Sequence, residues 1–191
     1  SPRMYSVLLP LIYREIMYQT KNLTDRSLSQ SKKLLHLRGR PKILLTPNYE
    51  TAQKFFKKYK VNMIGIISDI KFPRKGIRQS EAGIKFAKWA RGIDPSVPIL
   101  LQSTNKGNEK LAENLNLSFL HKHSPTLLND LRNFMIENFG FGDFIFRLPS
   151  RVEVDRATNV NEFIKCMNTI PDESLLYHAS SHHFSNWLAA R

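Results

Sequence analysis

Cysteine is almost missing: Cys166 is the only one among 191 residues. It has no partner for an internal disulfide, which excludes a disulfide scaffold and favours a reducing compartment. No apolar run approaches the ~20 residues that cross a bilayer, and the opening residues lack a signal-peptide pattern. A cytoplasmic chain that makes no contact with membrane is expected. Glycine is scarce, at 8 residues, with no collagen-like period. Acids are scarce too, at 16 against 29 Lys and Arg. A composition 41% hydrophobic and 24% charged is that of an ordinary globular protein and excludes a disordered one.

The scarcity of acids is local. Ser1–Gln79 holds 17 Lys/Arg and 4 Asp/Glu, whereas Ser80–Arg191 holds 12 of each. The whole excess of positive charge therefore lies in the first two-fifths of the chain. Such a face suits nucleic acid, phosphorylated ligands or an acidic partner.

Apolar spacing predicts a buried helix over Met4–Tyr18, with a kink at Pro10 or a start one turn in. Thr20–Arg40 is polar and basic and reads as a second helical piece or a long connection. Lys42–Thr46, bounded by Pro41 and Pro47, reads as a buried strand. A regular alternation follows. Asn48 is placed to cap a helix over Tyr49–Tyr59, and Asn62–Ser68 is an apolar strand ending at Asp69. After a Pro- and Lys-rich loop, Lys71–Gln79, come a helix over Ser80–Arg91 and a strand over Val97–Gln102 that ends at Ser103. Then come a helix over Lys106–Leu115, a strand over Leu117–His121 that ends at Lys122, and a helix over Ser124–Asn138. Apolar strands alternating with amphipathic helices predict an α/β fold with a doubly wound parallel sheet.

Beyond Phe139 the rhythm changes. Phe144–Phe146 and Val152–Val154 flank a turn and predict a hairpin, followed by a helix near Val160–Asn168 and another from Asp172 to the last residue. With no Gly or Pro stop before Arg191, the final helix reads as cut off. The expected division is 1–138 and a small α+β connector, 139–191.

In an open parallel sheet, ligands bind beyond the carboxyl ends of the strands. Three such ends deliver Asp69, Ser103 and Lys122. A carboxylate that attacks phosphorus, beside a hydroxyl and an ammonium that hold the transferred oxygens, suits phosphoryl transfer, with a divalent metal to offset charge.

The order Asp69-Ile-Lys-Phe-Pro73, then Ser103, then Lys122 resembles a response-regulator receiver domain over about Met4–Asn138. The resemblance implies the flavodoxin-like strand order 2-1-3-4-5, with Asp69 as phosphoacceptor and Ser103 as switch hydroxyl. It implies Phe119 as switch aromatic, and Mg²⁺ held by Asp69, the Lys71 carbonyl and an acidic pair. That pair closes the family's first strand, for which the sequence after Ser1 has no room. The strand is expected upstream, or Tyr5–Leu9 is recruited in its place. In this register Lys42–Thr46 is the second strand. His123 stands where the family has proline after the lysine.

Narrower likenesses in Tyr5–Tyr13, Arg40–Leu45, Phe139–Arg147 and Pro171–Leu188 resemble the receiver-bearing region of phosphoenolpyruvate synthase-like, pyruvate phosphate dikinase-type proteins. They imply a regulatory module that is itself no enzyme. Its partners would be a histidine kinase or small phosphodonor and the catalytic domains of the same protein. The rival readings are a degenerate receiver that binds a partner without phosphorylation, and a basic nucleic-acid-binding module. Nucleic acid ranks third, because no helix-turn-helix or aromatic RNA-binding motif supports it.

Other features have plainer readings. His178 and His182, four apart on one predicted helix, permit a metal pair but lack a third ligand. His121 and His123 flank Lys122 and tune its surroundings. Cys166 reads as a small buried hydrophobe, and Gly140 and Gly142 as turn formers. Lys54, Lys57, Lys58 and Lys60 form a solvated helix face. They become a phosphate- or nucleic-acid-binding surface only if Arg74, Lys75 and Arg78 join them in space.

Overall fold

The computed structural model describes residues 2–25 and 41–189. The chain opens with α1 (Pro2–Asp25), then α2 (Tyr49–Tyr59) and a single 3-10 turn, Lys60–Asn62. β1 (Ile66–Asp69), β2 (Phe72–Arg74) and β3 (Ile77–Gln79) precede α3 (Ala82–Ile93). β4 (Ile99–Ser103), α4 (Asn108–Glu113), β5 (Ser118–His121) and α5 (Leu127–Asn138) follow. The last elements are β6 (Phe144–Arg147), β7 (Glu153–Ala157), α6 (Val160–Met167), α7 (Asp172–Ser180) and α8 (His183–Ala189). The fold is α/β. It divides into one compact unit of Lys42–Phe134 and a second made of α1 and the chain from Met135 onward. The dividing point thus falls inside α5, just before the sequence-based boundary, and α1 belongs with the C-terminal segment.

In the Lys42–Phe134 unit, β1, β4 and β5 form a parallel sheet in the order β1-β4-β5. Ile66 stands opposite Ile99 and Leu100 opposite Ser118. The central strand β4 is buried from Ile99 to Gln102, as an apolar run covered on both faces requires. Side chains alternate across a strand, so Ile99 and Leu101 meet one helical layer. Tyr49, Ala52 and Phe56 of α2 and Phe86, Ala87 and Ala90 of α3 supply it. The i, i+3, i+4 spacing of these residues puts them on one face of each helix. Complete burial of a side chain such as Phe56 or Leu101 contributes about 1.5–3 kcal/mol. Asn48 caps α2 as expected, its Oδ1 accepting the Thr51 N–H at 2.8 Å.

Several local expectations are corrected. Lys42–Thr46 is irregular, and Leu44 and Leu45 are exposed. A strand exists only with a neighbour in its ladder, and among the described residues the sheet stops at β1. Asn62–Ser68 shortens to β1, because Asn62 closes the 3-10 turn and the ladder starts where Ile66 N–H meets Pro98 O at 2.9 Å. Lys71–Gln79 is a hairpin rather than a plain loop: Arg74 pairs with Ile77 around Lys75 (φ 52) and Gly76 (φ 74). Two positive φ values in a two-residue connection match the right-handed twist of the strands.

In the other unit, α1 is helical through Pro10, so Tyr5–Leu9 is not a strand. Leu8 and Ile16 are buried, whereas Tyr13 is exposed. Residues 26–40, which carry most of the predicted connection, lie outside the described residues. The C-terminal hairpin stands as expected, β6 and β7 pairing antiparallel with a bulge at Phe146/Arg147. Phe144 and Phe146 point into a core with Phe163, Cys166, Ile170 and Trp187, where the Phe163 and Trp187 rings stack at 4.9 Å. The single helix expected after Pro171 is two. His182 takes a left-handed φ of 58 between them, which ends α7 and turns α8 back. No helix among the described residues is long and apolar enough to cross a membrane.

Candidate functional site

Parallel alignment brings the carboxyl ends of β1, β4 and β5 to one rim of the sheet. Asp69 closes β1, Ser103 closes β4, and Lys122 follows β5. Asp69 stands opposite Gln102, and Gln102 opposite Leu120, two residues before Lys122. A step of two returns a side chain to the same face, so Asp69 and Lys122 reach over the end of β4 towards each other. Lys122 Nζ lies 2.6 Å from Asp69 Oδ1, with side-chain exposures of 8% and 16%. So sheltered a pair keeps most of its attraction, because little solvent screens it.

The start of α3 presses against this corner. The Gly83 N–H donates to Ile70 O at 2.9 Å, and a Cβ on Gly83 would sit 2.2 Å from Asp69 O. Only glycine permits so close an approach of helix to strand end.

Ser103 sits on the same rim with its hydroxyl turned away. Its Oγ accepts from the Asn105 N–H at 3.1 Å and from Asn108 Nδ2 at 2.9 Å. It shares a backbone bond with the lysine segment, Lys122 N–H to Ser103 O at 2.9 Å, but its hydroxyl bonds neither Asp69 nor Lys122. Phe119 lies in β5 opposite Leu101, half-buried against the helical core. Lys71 is exposed two residues beyond Asp69. His121 Nε2 bonds Thr104 O at 3.0 Å, and its ring meets that of His123 edge-on at 5.9 Å.

Mg²⁺ takes octahedral oxygen donors, usually more than one carboxylate in such sites. At this rim the described residues offer one, Asp69, and its Oδ1 already faces Lys122. No group of three His, Cys, Asp or Glu among the described residues is placed to hold a metal ion. The residues present therefore do not fit a magnesium site.

Sequence reasoning missed Gln102, whose buried Oε1 has no hydrogen-bond partner beside Asp69. In an apolar run, one glutamine was the available signal. It also missed a histidine pair in the C-terminal unit. The Arg147 N–H donates to His178 Nε2 at 2.8 Å, and His178 Nδ1 lies 3.0 Å from His183 Nδ1. A backbone N–H can only donate, so His178 carries its proton on Nδ1 and gives it to His183 Nδ1. That tautomer leaves neither nitrogen of His178 free for a metal. Burial first, then the neighbouring histidine and Arg147, lower His178 to about 4. Burial first, then Arg147 and His182, lower His183 to about 4. His182 is exposed on the turn, and the partner that His178 meets is His183 instead.

Comparison with protein-family models, with curated proteins and with solved structures gives no match to this chain.

Proposed function

We propose that the Lys42–Phe134 unit is a receiver module whose Asp69 accepts a phosphoryl group. In this reading β1, β4 and β5 are strands three to five of a doubly wound 2-1-3-4-5 sheet. The observation that carries it is the Lys122–Asp69 contact at 2.6 Å on a shared rim. An Asp69 carboxylate oxygen attacks the phosphorus of acetyl phosphate or of a kinase phosphohistidine. The bond from phosphorus to the donor breaks, and the donor leaves with its electron pair. Asp69 becomes an acyl phosphate. The group adds about −1.5 to −2 charge and three acceptors, which Lys122 is positioned to face. Ser103 would then leave Asn105 and Asn108 to bond a phosphoryl oxygen, and β5 with Phe119 would shift with Lys122. The regulated partner is a catalytic region of the phosphoenolpyruvate synthase or pyruvate dikinase type.

The protein, given radiolabelled acetyl phosphate and Mg²⁺, should take up label that hydroxylamine removes. Asp69→Ala should take up none. Equal labelling of the variant would defeat the assignment.

A second reading is favoured by the Ser103 hydroxyl, already engaged by two asparagines, and by the single carboxylate at the rim. It is a receiver-like module that binds its partner without phosphorylation. It predicts no label on the wild-type protein.

A further inference from the structure

The lysines of α2 gain neighbours in the folded unit. Phe72 of the β2–β3 hairpin stacks on Tyr49 at 6.4 Å, and the Arg74 guanidinium lies 4.5 Å over the same ring. The Lys75 N–H donates to the Glu50 carboxylate at 2.9 Å. The hairpin tip thus abuts the first turn of α2. From there Glu50, Lys54, Lys57 and Lys58 follow at helical spacing along one stripe of a helix about 16 Å long. Lys57 Nζ stands 5.9 Å from the Trp89 ring of α3, which continues the stripe towards exposed Lys85 and Lys88. Arg78, opposite Pro73, belongs to the other side of the hairpin and does not join.

The acids that could neutralise this face are already engaged. Between Tyr49 and Ile93 only Glu50, Asp69 and Glu81 are acidic. Glu50 accepts from Lys75, Asp69 faces Lys122, and Glu81 lies 3.8 Å from Lys85. Lys54, Lys57, Lys58, Lys60 and Lys88 are exposed, and none of them forms an ion pair with another of the described residues.

We propose that this face, α2 with the hairpin tip and the outer side of α3, binds the phosphate backbone of nucleic acid without reading its sequence. A protein partner fits less well, because lysine is depleted at the centre of protein interfaces, where aromatic and apolar residues gather. A centre built of lysines, each a compact point charge, suits phosphates. The contacts proposed are to phosphates, which carry no sequence information, so base recognition is not part of the proposal.

The test uses the whole chain and fluorescein-labelled single-stranded RNA and duplex DNA of about 20 nucleotides, read by anisotropy across a salt series. Expected is binding at low salt, with a log–log slope of about −3 to −5. Lys54→Glu/Lys57→Glu/Lys58→Glu should lower affinity at least about tenfold and flatten the slope by about 2. Lys106→Glu/Lys110→Glu, in the turn before α4 and in α4 itself, should leave both unchanged, and Asp69→Ala should bind like wild type, which separates this surface from the phosphoacceptor reading. All these side chains except Asp69 are exposed, and the circular dichroism spectrum should confirm that each variant folds. Absence of binding at about 50 mM salt, or affinity indifferent to the α2 reversal, would overturn the proposal. So would polyglutamate of matched charge binding as tightly, since the occupant would then be an acidic polypeptide.

Discussion

Lys122 Nζ meets Asp69 Oδ1 at 2.6 Å although the strands that carry them never pair, β4 standing between β1 and β5. The contact is therefore a property of the whole three-strand sheet. A slip of one residue at either ladder would send one of the two side chains to the opposite face.

That dependence can be measured. Lys122→Met leaves a largely buried carboxylate, and Asp69→Asn leaves a largely buried ammonium. Each should destabilise the fold by about 2–4 kcal/mol, because an unpaired buried charge costs more than the pair contributes. The double variant should recover part of that loss. Urea midpoints that simply add would mean that the two groups are not coupled.

Gly83 makes the same corner sensitive to a single methyl. Its Cβ would lie 2.2 Å from Asp69 O and 2.8 Å from Ile70 Cα, both backbone atoms. Gly83→Ala should cost at least about 2 kcal/mol, as overpacking against backbone does. Gly92→Ala, in the same helix with nothing within 4 Å, should instead stabilise by about 0.5–1 kcal/mol. Equal urea midpoints for the two variants would refute the close approach of α3 to β1.

The β2–β3 turn holds a lysine in a conformation that suits asparagine better. Lys75 has φ 52, and asparagine tolerates the left-handed region through local hydrogen bonding. Lys75→Asn keeps the N–H that Glu50 accepts and should raise stability by about 0.5–1 kcal/mol. Lys75→Val should lower it by more, since a β-branched residue is strained there. Thermal unfolding of the three proteins should rank them Asn, Lys, Val.

The elements legible in the sequence were those whose signal is local. Asn48 before Tyr49-Glu-Thr, and the apolar runs ending at Asp69, Ser103 and Lys122, announced a cap and three strands. What was not legible depends on neighbours. Lys42–Thr46 has the composition of a strand but no ladder to join among the described residues. The β2–β3 hairpin hid because lysine, not asparagine or aspartate, precedes Gly76. The bonding of the Ser103 hydroxyl was hidden too, because Asn105 and Asn108 compete for it at a distance of two and five residues. The break between α7 and α8 rests on the left-handed backbone of His182, which the spacing of apolar residues does not encode.

The His178–His183 pair gives the C-terminal unit a defined response to acid. Both groups fall from an ordinary value of 6.5 to about 4, burial being the largest cause for each. The folded state therefore favours the neutral rings, and the unfolded chain binds more protons between those values. Stability is fully present above about pH 6.5 and declines as pH falls towards 4, where the folded pair also charges. Charging either ring also sets it against the Arg147 guanidinium and its partner histidine. Protonating His178 Nε2 removes the acceptor of the Arg147 N–H, the bond that ties β6 to α7. Between pH 7 and pH 5 the loss should be about 2 kcal/mol for one histidine, and less than additive for two because they are coupled. Trp187, buried in the same core, reports the transition by fluorescence in a Trp89→Phe background. In the His178→Gln/His183→Gln variant the urea midpoint should be lower at pH 7 and much flatter down to pH 5. The unchanged steepness of the wild type in that variant would show that the acid response arises elsewhere.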